Sequence, residues 1–357
     1  MILFRYLTRE VLLTMSAVAG ILLLVIMGSR FIRYFSDAAE GDFPVTILGS
    51  LMLFHLPGFM ELVLPLAFFL GILLAYGQLY MNSEITVMVA CGMSPLRLLR
   101  VTLLPASIVA VLVALCSLWL TPAGALQTAA TLEEQSSRLD VSVLAPGRFQ
   151  DFGGGRTAYI TDFSSDGTEM QEVLVHELPG PESPHSFVTR ARSGHQETRV
   201  ETGSRFLVLE NGERYGVAPG QLDAQRLTFE RYTMRLGLSR SRQELDSLEF
   251  ATTAELWQDP NPRAQAQFQW RAGLPFMVFV LALLAQPLSR VNPRQGRFAK
   301  LLPAVFLYVG YLSLLLAAVD AIGSGTLTPV IGVWPVHVLF LSLGLLLLWR
   351  SQRKGMR

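Results

Sequence analysis

Arg30 and Arg33 stand three residues apart at one end of a long apolar run, so on a helix they share a face. Two guanidinium forks in that position match phosphate oxygens bidentately, which suits an anionic lipid headgroup. The same pair can equally snorkel to a membrane interface along its aliphatic stems. A second stretch with chemistry in it is Met81–Arg100, MNSEITVMVACGMSPLRLLR. Ser83 can serve as an N-cap, and Glu84 puts a negative charge in the first turn, where the helix dipole favours it. Ile85, Met88, Val89 and Gly92 follow at i, i+3, i+4, i+7, so three apolar side chains and a glycine line one face. Gly92 supplies a stop, and Ser94-Pro95 reads as N-cap and N1 of the next helix. The spacing therefore predicts a short amphipathic helix over 83–92, too short to persist alone in water and so expected to dock on a partner.

Other chemistries are missing from the sequence. No G-x-x-x-x-G-K-[ST] or G-x-S-x-G motif occurs, so neither nucleotide hydrolysis nor a nucleophile elbow is expected. His176, His185 and His195 are scattered without metal-ligand spacing. Cys91 and Cys116 fall in unrelated contexts and give no disulfide framework. His55, Glu61 and Asp320 lie near predicted span boundaries, which reads as interfacial placement rather than a proton relay. The expectation is a protein without catalytic residues, metal or cofactor, whose energy supply comes from a partner.

Only 16% of the 357 residues are charged, 51% are hydrophobic, and the mean hydropathy is +0.40, which together point to a membrane protein. The net charge of +1 gives no reason to expect nucleic acid. Six runs suffice to cross a bilayer: Val11–Phe35, a span inside Val45–Tyr80, Leu96–Leu120, Trp270–Leu288, Leu301–Ile322 and Val330–Trp349. Pro57 is expected to break the second run, leaving an interfacial piece and a span over Gly58–Tyr80. Thr121-Pro122 is expected to end the third. The first run is longer than a signal-peptide core and lacks an A-x-A-like site, so it reads as an uncleaved span.

Arg5, Arg9, Arg97, Arg100, Arg290, Arg294, Arg297, Lys300 and the tail Arg350–Arg357 collect on one side of these spans, whereas Gly323–Pro329 has no Lys or Arg. The positive-inside rule then puts both termini and the 83–92 helix in the cytoplasm, with the polar middle on the far side. That middle reads as β, with runs at Thr157–Phe163, Glu172–Leu178, Ser186–Arg190, Phe206–Leu209 and Leu227–Leu236. Glu210-Asn211-Gly212-Glu213 carries a hairpin signal, and the broken alternation near Glu230 predicts a β-bulge. Helical connectors are expected at Ala123–Arg138 and Thr253–Gln269. The fold expected is a membrane α-helical protein of six transmembrane helices with an inserted all-β, jelly-roll-like domain. Its parts would be 1–122 (three spans with the helix 83–92), 123–265 (the β domain with connectors) and 266–357 (three spans).

SEITVMVACGMS, the preceding VLPLAFFLGILLAYGQLY, VNPRQGR between the fourth and fifth spans, FRYLTRE and the QWR entry to the fourth span resemble the lipopolysaccharide export permeases, the LptF/LptG family. The order of spans, β domain and spans is similar too, and the ACG and NPRQGR versions favour the LptF branch over the LptG branch. The resemblance implies a non-catalytic subunit of an ABC exporter in the inner membrane of a Gram-negative bacterium, with a periplasmic β-jellyroll. It implies an LptG-type permease partner, a dimer of LptB-type ATPases, LptC and LptA as periplasmic bridge, and lipopolysaccharide as substrate. By position, Ser83, Glu84, Ile85, Met88, Val89 and Gly92 correspond to the ATPase-coupling helix, with Glu84 as its polar contact. Arg30 and Arg33 correspond to basic residues facing lipid phosphates. The alternative is a membrane-anchored periplasmic sensor or scaffold, which leaves the capped short helix between two closely spaced spans without a purpose.

Overall fold

The structure, a computed structural model, describes residues 2–40, 45–138, 146–151, 155–164, 169–179, 185–199, 204–218, 224–235, 247–290 and 300–354. It divides into two compact units, one built from Met1–Tyr34, Leu48–Thr128 and Ser247–Arg357, the other from Phe35–Ile47 and Ala129–Asp246.

The first unit is a helical membrane body. Six helices among the described residues are long and apolar enough to span a bilayer. They are built on α1 (Ile2–Glu40), α2 (Leu48–Met81), α4 (Pro95–Leu115), α8 (Pro262–Leu288), α9 (Leu301–Gly323) and α10 (Trp334–Lys354), with the short α3 (Glu84–Ala90) between α2 and α4. The start of α1, the turn holding α3, and the ends of α8 and α10 lie together, termed the α3 end. α8 is the most buried span and packs on α2, α4, α9 and α10. Leu7, Val11, Met15 and Ala19, at four-residue spacing on α1, are all buried in the same apolar core. α1 meets α2 at Gly71, where a Cβ would sit 2.9 Å from the Met15 backbone.

The two expected proline breaks are absent. α2 runs through Pro57 and Pro65 without interruption. Proline's φ is already helical, so it removes one hydrogen bond and not the helix when packing holds both flanks. The third span also continues past Thr121-Pro122. A π-helical turn, Cys116–Leu120, leads directly into α5 (Thr121–Arg138). Pro122 has no N–H for the carbonyl of Leu118 four residues earlier, and Thr253 Oγ1 donates to that carbonyl instead, at 2.6 Å. α8 starts earlier than the apolar run suggests, at Pro262, because Asn261 caps it. α10 starts later than Val330, because Gly332 at φ +58 turns the chain first.

The second unit is an antiparallel six-stranded sheet with its strands in chain order. These are β1 (Phe149–Asp151), β2 (Arg156–Phe163), β3 (Met170–Glu177), β4 (Ser186–Arg199), β5 (Ser204–Val217) and β6 (Ala224–Arg235). Among the described residues this is one meandering sheet, and no second sheet of a jelly roll is present. β4 and β5 are each 14 residues long, well beyond the short apolar runs read from the sequence. The expected hairpin at Glu210–Glu213 is instead the middle of β5. Asn211 does take positive φ (+52), but Gly212 does not, and a type I′ turn needs both.

The bulge expected near Glu230 is also absent, since β5 and β6 keep constant register from Phe206↔Arg235 to Val217↔Ala224. The irregularity is shared by five strands. Pairing skips Thr161/Glu172, Glu172/Arg192, Arg192/Asn211 and Asn211/Glu230, a single row across the sheet. On each strand the inward phase changes there: Ala158 and Ile160 give way to Phe163, Met170 to Val173 and Val175, Leu207 and Leu209 to Gly212, and Phe229 to Tyr232 and Met234. The crease thereby keeps one apolar face continuous along strands too long for a single alternation. Gly212 is needed at it, because a Cβ would meet the Arg190 carbonyl oxygen at 2.4 Å.

Candidate functional site

α3 is shorter than the predicted 83–92 helix, and its start is built differently. Ser83 adopts the left-handed conformation, φ +62, and its side chain makes no cap; only its carbonyl accepts the first helical bond, from Val87. The acidic residue is secured from outside the helix. Glu84 Oε2 accepts from Tyr6 Oη on α1 at 3.0 Å, and Glu84 Oε1 accepts from Asn82 Nδ2 at 3.2 Å. At the other end Gly92 takes φ +96, and the Gly92→Val89 and Met93→Met88 backbone bonds close the helix in a Schellman arrangement. Ser94 Oγ then caps α4 by accepting from the Arg97 N–H, with Pro95 at N1.

The predicted apolar face of α3 divides into two functions. Ile85 is fully buried in the chain's own core and fastens α3 to the membrane body. Met88 is half-buried, whereas Val89, Gly92 and Val87, a residue the periodicity left out, are exposed. The flanking spans are tied as well. Tyr76 Oη and Thr102 Oγ1, 2.8 Å apart, link α2 to α4. Gln286 Nε2 of α8 donates to the Pro95 carbonyl at the start of α4, at 2.6 Å. A displacement of α3 therefore reaches α1, α2, α4 and α8 through named contacts.

Arg30 and Arg33 lie toward the other end of α1. Arg30 is half-buried with its guanidinium 5.3 Å from the Phe59 ring centroid, and Arg33 is exposed. Among the described residues neither makes an ion pair. His55 Nδ1 lies 2.9 Å from the Leu51 carbonyl oxygen, and Asp320 is exposed.

Glu61 differs from its interfacial reading. It is buried at 7% exposure and accepts from Thr121 Oγ1 at 2.9 Å. It neighbours Arg271, which is 2% exposed and which the sequence offered only as the last residue of QWR, with no role attached. Arg271 donates to the carbonyls of Ala251 (2.8 Å), Glu249 (2.8 Å) and Leu248 (3.2 Å), around the short helix α6 (Ser247–Phe250). Ser117 Oγ donates in turn to the Arg271 carbonyl at 3.0 Å. This network joins the chain leaving the membrane unit through α5 to the chain re-entering it through α6 and α7 (Thr253–Gln258). A charged side chain so close to an apolar run is costly unless satisfied, and that was the available signal. Tyr6 stood in the FRYLTRE motif, but no spacing or periodicity gave it a role.

The loop 291–299, which holds most of the cationic RVNPRQGRFAK segment, lies outside the described residues. No group of His, Cys, Asp or Glu among the described residues has the arrangement of a metal site.

The family model for the lipopolysaccharide export system permease LptF/LptG matches residues 5–350, which takes in all six spans and the β unit. The chain belongs to the LptF/LptG family. It is 33% identical over 353 residues to the lipopolysaccharide export system permease protein LptF of Escherichia coli K12, covering 98% of this chain and 95% of that one. The proteins of the same description from E. coli O157:H7 and Shigella flexneri match to the same extent. As an LptF/LptG-family permease this is a multi-pass inner-membrane protein of lipopolysaccharide export. Within that family architecture, α3 is the short helix between the second and third spans, and Arg30 and Arg33 belong to the first.

Proposed function

We propose that this chain is the LptF-type half of an ATP-driven exporter that extracts lipopolysaccharide from the inner membrane and delivers it to a periplasmic β-strand bridge. It pairs with an LptG-type permease, takes its energy from a dimer of LptB-type ATPases, and hands its cargo toward LptC and LptA. The observation that carries the reading is the build of α3: Ile85 anchors it inward, while Glu84, Val87 and Val89 remain on a short capped helix between two spans. Such a helix can seat in a groove of an ATPase and pass motion on rigidly, because Ser94-Pro95 joins it to α4 without slack.

The orientation that fits has the α3 end in the cytoplasm. Arg5, Arg9, Arg97, Arg100, Arg290 and Arg350 lie at that end, and the 324–333 turn at the other has no Lys or Arg. Arg30 and Arg33 then stand at the periplasmic rim, where lipopolysaccharide phosphates need cations. Ser83 and Gly92 set the geometry of the coupling helix, Glu84 is its polar contact, and Met88 and Val89 supply apolar contact.

Co-expression with an LptB-type ATPase and purification in mild detergent tests this reading. The wild-type chain should retain the ATPase, and Glu84→Ala should lose it or hydrolyse ATP without moving lipid. Full copurification and transport by Glu84→Ala would overturn the coupling assignment. Arg30→Glu with Arg33→Glu should lower photocrosslinking to lipopolysaccharide, and an unchanged yield would leave the two as interfacial anchors.

A further inference from the structure

The base of α1 carries a second cationic feature, far from Arg30 and Arg33. Arg5 and Arg9, one turn apart on one helix face, line an open groove of about 730 Å³ between α1 and α4. Beyond the two arginines the wall becomes apolar, with Leu12 and Leu13 of α1 and Leu104 of α4. That volume lies within the roughly 300–1,000 Å³ range of small-molecule sites. From Arg5 to Ser16 the groove follows α1 for about 16 Å at 1.5 Å per residue. This is about half the ~30 Å hydrocarbon core, the depth of one leaflet.

One further observation gives the groove a ligand chemistry. Arg156, Arg190, Arg214, Arg226 and Arg231 all find carboxylates, but Arg5 and Arg9 have no ion pair or hydrogen bond among the described residues. Two guanidinium groups without a protein partner above an apolar trough complement a phosphodiester carrying an acyl chain.

We propose that this groove binds one anionic glycerophospholipid from the leaflet at the α3 end. The phosphate sits between Arg5 and Arg9, and an acyl chain lies along Leu12, Leu13 and Leu104. The site is distinct from Arg30 and Arg33. Arg5 and Arg30 are separated by about 37 Å of helix, more than the hydrocarbon core. The inference rests on membrane insertion alone and stands whether or not α3 engages an ATPase. Its occupancy would fix the foot of the helix whose Tyr6 holds Glu84.

The test is native mass spectrometry of the full chain, purified with its copurifying partners, delipidated, and titrated with phosphatidylglycerol or phosphatidylcholine. One phosphatidylglycerol per chain should be retained, with a preference on the order of tenfold over phosphatidylcholine. Arg5→Gln with Arg9→Gln should abolish the preference, and Arg5→Lys with Arg9→Lys should keep part of it. Leu104→Trp, which fills the trough without altering charge, should lower occupancy by itself and covers the case in which the arginine variant fails to fold. Equal retention of the two lipids, or unchanged occupancy in Leu104→Trp, would overturn the proposal. So would a photocrosslinker at Leu104 that captured a protein helix in place of lipid.

Discussion

Tyr6 Oη donates a 3.0 Å hydrogen bond to Glu84 Oε2, tying the foot of α1 to the first turn of α3 across 78 positions of sequence. The helix that carries Arg30 and Arg33 is thereby attached to the residue expected to meet the ATPase. Tyr6→Phe removes this bond while leaving the ring and the carboxylate in place. A hydrogen bond to a charged group contributes about 1.5–3 kcal/mol when shielded, and this exposed one sits at or below the low end. The expected outcome is normal expression and ATPase copurification, with fewer lipids released per ATP hydrolysed. The ratio of the two rates in reconstituted vesicles measures it, and an unchanged ratio would show that α1 receives its motion elsewhere.

Ile85 and Val87 should separate anchoring from docking. Ile85 is fully buried and Val87 is 59% exposed. Ile85→Ala creates a cavity under α3 and should cost about 2–5 kcal/mol locally. The readout is easier proteolysis at the α2–α4 turn. Val87→Ala should leave proteolysis unchanged, since exposed substitutions usually stay within about 0.5 kcal/mol. It should weaken only the association with the ATPase. Equal proteolysis of the two variants would contradict this division.

Arg271 should resist replacement. Arg271→Met keeps most of the volume but removes the donors to three part-buried carbonyls, a loss of about 0.5–1.5 kcal/mol for each bond where water can take the donor's place. A clear drop in melting temperature in detergent is expected. Arg271→Lys should recover part of it, because one ammonium can reach one or two of those carbonyls. Thr253→Val strands the Leu118 carbonyl freed by Pro122 and should destabilise less. A Pro122→Ala change in that background should restore stability, because the substituted residue brings back a backbone N–H for the Leu118 carbonyl.

Asn211 and Gly212 should respond oppositely to substitution. Asn211 sits at φ +52, where glycine is comfortable, so Asn211→Gly should shift stability by no more than about 1 kcal/mol. Gly212→Ala drives a methyl group into the Arg190 carbonyl and the Phe229 ring and should be the more destabilising by about 1–3 kcal/mol. Thermal unfolding of the full chain, followed by the β signal in circular dichroism, ranks the two.

The six spans were legible because twenty apolar residues have few other uses, and Gly92, Ser94 and Pro95 were legible because each acts locally, Gly92 and Pro95 through backbone conformation and Ser94 through a side-chain cap three residues on. Proline misled at Pro57 and Pro122 because a local rule for isolated helices ignores tertiary surroundings: packing carries α2 past Pro57, and Thr253 supplies a donor beside Pro122. Asn211-Gly212 misled because a dipeptide can signal positive φ without saying whether one residue or two adopt it. The broken alternation at Glu230 was a correct observation of phase, but one strand cannot reveal that four others change phase beside it. For the candidate site, the helix and its acid could be found from spacing. Tyr6, which holds the acid, and Ile85's inward turn depend on tertiary packing that no periodicity encodes.

The crease shared by Thr161, Glu172, Arg192, Asn211 and Glu230 limits how this sheet can change in length. Deleting one residue beside it in a single strand would send half of that strand's side chains to the opposite face while its neighbours stayed put. Repair would require the same deletion in all five strands at once, a step open neither to evolution one codon at a time nor to casual engineering. Insertions and deletions are therefore confined to the connections between strands, and the creased strands are fixed in frame as a set.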